Sequence, residues 1–261
     1  MPLFLKKWLF RFSVTGVFLA LLLVLIVFAP ALSYARYSSF GQLTVYHQQS
    51  LPAALPNQVA VAVAQLHGSE LYSPGFRADI CLNDKGTAYP KLLGILLPPG
   101  FAWGFANKVV LQGQADFAAG YVALHGYRWN STALLTHELT HCLQAQALGF
   151  YRTNPLTGYP RWKQEGYAEY IARPHGTPAQ LAAHLARLHQ AERQHPDAWE
   201  VPLPDGTMQP KEYARYAALV AYCLDVQHQT YRQLLADTTS EAAVTQYLEA
   251  WAASQAAEVG K

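Results

Sequence analysis

The chain has 261 residues, 51% of them hydrophobic and 14% charged, with a formal net charge of +2. That length can bury a sizeable core and suits one domain of two lobes. Setting aside Lys6, Lys7 and Arg11, 16 of the 19 basic residues remain against 17 acidic ones, which leaves no electrostatic footprint for a nucleic acid.

Residues 12–29, FSVTGVFLALLLVLIVFA, carry no charge. As a helix this run would be about 27 Å long, close to the roughly 30 Å of a bilayer core. Lys6, Lys7 and Arg11 precede it and only Arg36 follows closely. The expectation is a single transmembrane helix with its N-terminus in the cytoplasm and the main domain outside. The run exceeds a usual signal-peptide core, so an uncleaved signal anchor is favoured over secretion after cleavage in APALSYA. Residues 1–35 then form a cytoplasmic stub and anchor, and 36–261 form the working domain.

Residues 33–50 read as a polar, aromatic linker. Residues 57–66, NQVAVAVAQL, have no clean period. FRADICLN, NKVVLQG and GYVALHG read as short strands, and LLPPGFAWGFA reads as a Pro/Gly loop. Beyond Asn130 the pattern turns helical. NSTALLTHELTHCLQAQALG opens on capping residues and closes at Gly149. RWKQEGYAEYIAR, TPAQLAAHLARLHQAERQ and PKEYARYAALVAYCLDVQ follow as helices. TTSEAAVTQYLEAWAAS is a fifth, with Thr238 and Glu241 at capping-box spacing. Strands first and helices second is an α+β layout: an N-lobe of about 51–150 with a small mixed sheet, a helical C-lobe of about 151–261, and the 131–148 helix between them. Asn130 heads an N-S-T acceptor triplet but reads better as a helix cap. Cys81, Cys142 and Cys223 are too few and scattered for a disulfide framework; one bridge with a free thiol, or three buried thiols, would fit.

The segment THELTH carries the chemistry. His137 and His141 are one helical turn apart on one face and can offer two imidazole nitrogens to one ion. Glu138 is rotated about 100° from His137, beside an ion rather than on it, where a base must sit to take a proton from water held there. A third ligand is needed. Gln144 and Ala147 stand where a metzincin has Gly and His, so a carboxylate must come from elsewhere. WKQEGYAEY offers Glu165 and Glu169, four apart on one face. Glu165 can bind the metal, and Glu169 can accept a hydrogen bond from a ligand histidine and fix its tautomer; the reversed pair is the rival, and the E-G-x-A context favours Glu165 as ligand. Gly166 removes a side chain where helices approach closely.

HELTH followed by RWKQEGYAEYIA resembles the gluzincin metallopeptidases, the thermolysin- and aminopeptidase-related group of peptidase-MA-like proteins. The resemblance covers about residues 105–235 and is sharp at 137–141 and 162–170. It implies one Zn²⁺ held by His137, His141 and Glu165, with Glu138 as catalytic base and Glu169 supporting from behind. It also implies that Tyr213, rather than Tyr216, donates to the oxyanion. The implied activity is hydrolysis of a peptide or protein substrate, which would lie along a strand beside the site helix, NKVVLQG first and GYVALHG second. The alternative is a non-catalytic zinc-stabilised binding module, against which the intact Glu138 weighs. Trp162 reads as packing.

Overall fold

A computed structural model describes residues 3–85, 87–153, 158–173 and 177–259. Ten strands and nine α-helices, with one short 3₁₀ and one short π segment, occur among the described residues.

The first helix, α1 (Leu3–Phe28), corrects the membrane expectation. No helix among the described residues is long and apolar enough to cross a membrane. The transmembrane helix over 12–29, and the single-pass placement built on it, are therefore overturned. The C-terminal end of α1 packs on the domain instead. The Tyr89 hydroxyl donates to the Val27 carbonyl, and Phe28 meets Phe105 edge-on at 6.3 Å.

The region expected to be a linker is an antiparallel hairpin, β1 (Arg36–Phe40) and β2 (Leu43–His47). Leu43, Val45 and His47 point inward in strict alternation, the mark of a half-buried strand. After α2 (Leu55–Leu66), β3 (Ala78–Cys81) pairs parallel with β2. Then α3 (Tyr89–Leu96) leads to β4 (Ala102–Phe105) and β5 (Lys108–Leu111). The sheet order is β1-β2-β3-β5-β4, so the N-lobe sheet begins at residue 36 rather than 51. The expected loop at AWGF is the outer strand β4, antiparallel to β5. Its Pro/Gly-rich approach hid four residues whose partner strand lies only three positions on. A second sheet, β6 (Gln114–Asp116), β7 (Tyr121–Leu124) and β8 (Tyr127–Asn130), leads into the site helix.

That helix, α4 (Ser131–Leu148), starts as expected: the Asn130 side chain accepts from the Ala133 N–H at 3.0 Å. It is buried almost all round over 133–140, because α2, β4 and β5 cover one side and α5 (Arg161–Ala172) the other. Thr136 and Thr140 are tolerated there because their hydroxyls donate to the carbonyls one turn back, at 2.9 and 2.8 Å. Next come α6 (Pro178–Gln194) and a hairpin, β9 (Glu200–Pro202) and β10 (Met208–Pro210), that the sequence reading missed. Then follow α7 (Lys211–Ala221), α8 (Tyr231–Ala236) and α9 (Glu241–Val259). The capping box belongs to α8, from Thr230 and Gln233, not to Thr238 and Glu241. Ser240 caps α9 instead, accepting from the Ala243 N–H. All three cysteines are buried and free. One continuous cluster of buried side chains joins Leu43 in the sheet, Leu135 and Leu139 in α4, Trp162 in α5 and Leu248 in α9, so the two lobes share a core.

Helices α5 and α7 make the tightest helix contact. A Cβ on Gly166 would lie 2.5 Å from the Tyr216 carbonyl oxygen and 2.8 Å from Val220 Cγ2. Gly166→Ala should therefore force the helices apart and cost about 1–3 kcal/mol, read as a lower urea midpoint with unchanged slope. A midpoint equal to wild type would refute the close-contact account.

Candidate metal centre

His137, His141 and Glu165 present ligand atoms that all lie within 4.8 Å of one another, a group able to hold one metal ion. His137 Nε2 is 3.2 Å from His141 Nε2 and 3.2 Å from Glu165 Oε2, and His141 Nε2 is 3.3 Å from the same oxygen. Ligand atoms about 2.0–2.1 Å from an ion at tetrahedral angles are roughly 3.3–3.4 Å apart. The three atoms thus form one face of a tetrahedron of the right size, and among the described residues no fourth His, Cys, Asp or Glu joins them.

The far side of each ring explains why these nitrogens converge. His137 Nδ1 is 2.9 Å from Glu169 Oε2, and a carboxylate can only accept, so Nδ1 carries the proton. Glu169 is fully buried, and its other oxygen accepts from Arg173 Nε at 2.7 Å and Gln209 Nε2 at 2.9 Å. His141 Nδ1 is 2.9 Å from Gln144 Oε1. The Gln144 amide cannot be reversed, because its nitrogen donates to the Gln164 carbonyl at 3.1 Å and the Tyr231 hydroxyl at 2.9 Å. In both neutral rings the Nε2 lone pair therefore faces the other ring and Glu165. Two lone pairs and a carboxylate at this spacing need a cation or a proton between them. In the metal-free site a proton serves. Burial opposes charge on His137, but hydrogen bonds to Glu165 and Glu169 outweigh it and raise its pKa to about 10. Glu169 is held down to about 2, since His137 and Arg173 outweigh the cost of burial.

Glu138 sits beside this triangle, buried, with β4 over it. A Cβ on Gly104 would collide with the Glu138 carbonyl and carboxylate, so only glycine lets the strand this close. Burial raises the Glu138 pKa; His137, His141 and the Gly104 N–H pull the other way without cancelling it. Tyr213 lies over His137, ring centroids 5.3 Å apart and planes 13° from parallel. Its phenol is raised well above its ordinary value by burial and by Glu165, so it stays protonated and can donate. Tyr216 turns away and donates to Glu212 at 2.9 Å.

The structure thus brings together His137, Glu138, His141, Glu165, Glu169 and Tyr213. It adds Gln144, Arg173, Gln209, Gly104 and Trp129, the last packed edge-on to His137 at 5.9 Å. Gln144 was accessible in principle, since it lies one turn beyond His141 on the same face. Gln209 carries no local signal, being 40 positions from Glu169 on the β9–β10 hairpin. The expected substrate strands are corrected. NKVVLQG forms β5, but β5 is paired on both sides by β3 and β4. GYVALHG forms β7, likewise held between β6 and β8. Neither has a free edge; β4 does.

No protein-family model, curated protein or solved structure matches this chain.

Each of His137→Ala, His141→Ala and Glu165→Ala should abolish stoichiometric metal in elemental analysis, whereas Glu169→Ala should weaken binding by about 10–100-fold. Stoichiometric metal in His141→Ala would refute the ligand set. Because the metal displaces a proton from a histidine with a raised pKa, uptake at pH 7 should release protons and affinity should rise with pH. Calorimetry in two buffers of different ionisation enthalpy measures that release.

Proposed function

We propose that this chain is a zinc-dependent metallopeptidase of the gluzincin kind. The observation that carries the reading is a tetrahedral face of two imidazoles and one carboxylate, with the buried carboxyl of Glu138 next to it. Nitrogen and carboxylate ligands in this number suit zinc, and three protein ligands suit catalysis rather than a purely structural site. A zinc ion held there supplies Lewis acidity and brings the pKa of a water near neutrality.

The chain's own groups account for the remaining steps. Glu138 takes the proton of the attacking water and later passes it to the leaving amine; burial raises its pKa, which favours its holding that proton between the two steps. Tyr213, protonated and stacked on His137, donates to the carbonyl oxygen as negative charge builds there. Glu169 and Gln144 keep the ligand rings in the required tautomer. The unpaired edge of β4, against α4 at Gly104, offers backbone N–H and C=O groups to an extended peptide.

Wild-type protein loaded with Zn²⁺ and incubated with a mixed peptide library should yield cleavage products by mass spectrometry. Glu138→Gln should keep the metal and the fold and lose at least about 10²-fold in turnover, since an amide takes no proton at neutral pH. An inert wild type would sink the reading, and unchanged turnover in Glu138→Gln would move the base elsewhere.

A further inference from the structure

Arg161 opens α5 one turn before Glu165, at the rim of the metal centre. Its Nη1 is 2.9 Å from both carboxylate oxygens of Glu212, in the first turn of α7. Its Cζ lies 5.7 Å from the Tyr213 ring centroid, so the cation rests against the phenol. Glu212 also accepts from the Tyr216 hydroxyl at 2.9 Å. The groups form one chain: Tyr216 to Glu212, Glu212 to Arg161, Arg161 to Tyr213, and Tyr213 stacked on His137.

A guanidinium only donates. A cation against the phenol attracts the Tyr213 Oη lone pairs and repels the hydroxyl proton, which therefore points away from Arg161. Glu212 neutralises the guanidinium and fixes its plane, so Arg161 is committed to the phenol rather than left as a free cation at the rim. We propose that Arg161 is a positioning residue that orients the Tyr213 hydroxyl toward the reacting carbonyl oxygen, with Glu212 and Tyr216 holding it in place. The role rests on the hydrolase reading above. A lysine cannot replace it, because one ammonium lacks the planar guanidinium that meets carboxylate and aromatic ring together. The Arg161–Glu212 pair is about half exposed, with side-chain accessibilities of 54% and 44%, so it adds little to stability and Arg161 variants should fold.

The test is a double-mutant cycle on the full chain loaded with Zn²⁺, using Arg161→Gln, Tyr213→Phe, both together, and Arg161→Lys. Two quantities are read: kcat and KM on a cleaved peptide, and the calorimetric Kd of that peptide's phosphonate analogue, a mimic of the tetrahedral oxyanion. Arg161→Gln should lower kcat by about 10–100-fold with KM nearly unchanged and zinc content and Tm as in wild type. Tyr213→Phe should lose on the order of 10²–10³-fold. The double variant should be no worse than Tyr213→Phe, phosphonate affinity should show the same non-additivity, and Arg161→Lys should not restore the loss. Multiplying losses in the double variant, a change in KM alone, or zinc loss in Arg161→Gln would each overturn the role of Arg161 while leaving the hydrolase reading standing. A wild type that cleaves no peptide and binds no phosphonate overturns the hydrolase reading and this role with it.

Discussion

Two imidazole nitrogens face each other at 3.2 Å on a buried helix, with a carboxylate oxygen as close to each. Unaided, such rings would turn apart or take up protons, because lone pairs at that distance repel. They are held by what stands behind them. Glu169 grips one ring and Gln144 the other, and each is tied down by further partners drawn from distant parts of the chain. A fully buried carboxylate such as Glu169 is costly unless its lone pairs are occupied. Arg173 and Gln209 occupy them, and the Gln209 bond ties the β9–β10 hairpin to α5.

The same constraint shapes the packing. α4 must bring both rings to one point, and α5 must bring Glu165 to that point from another direction. α7 is pressed against α5, and Gly166 is the place where a side chain would prevent it. On the opposite side, β4 lies on Glu138 because Gly104 has no side chain. Two glycines therefore set the distances from which the base, the third ligand and Tyr213 reach the site. Burial of the carboxyl and the phenol follows from that closeness, and burial raises both of their pKa values. Packing and proton chemistry are here one effect.

Much of this was legible along the chain. His137, Glu138 and His141 are close in sequence, and 3.6 residues per turn is enough to place them. Glu165 and Glu169 are one turn apart, so their shared face followed as well. The caps of α4 and α6 were readable because capping is chemistry within four residues. What misled was also local. Pro and Gly around AWGF signalled a loop, yet four residues between turns suffice for an outer strand once β5 is there to pair with. The apolar run near the N-terminus suggested a membrane span, whereas the end of α1 is engaged by Tyr89 and Phe105 of the domain.

The sequence by itself determined the residue types and helical spacing of the site, because those obey a period of a few residues. Tertiary structure decided which strand keeps a free edge, since pairing depends on neighbours far along the chain: β5 is enclosed by β3 and β4 although it reads as well as any strand. It decided what each tyrosine touches, because Tyr213 and Tyr216 share a helix turn, yet one stacks on His137 and the other donates to Glu212. It also decided the partners behind the histidines, for Gln209 is joined to Glu169 by folding alone. Hydrogen bonds between segments tens of residues apart leave no period to read.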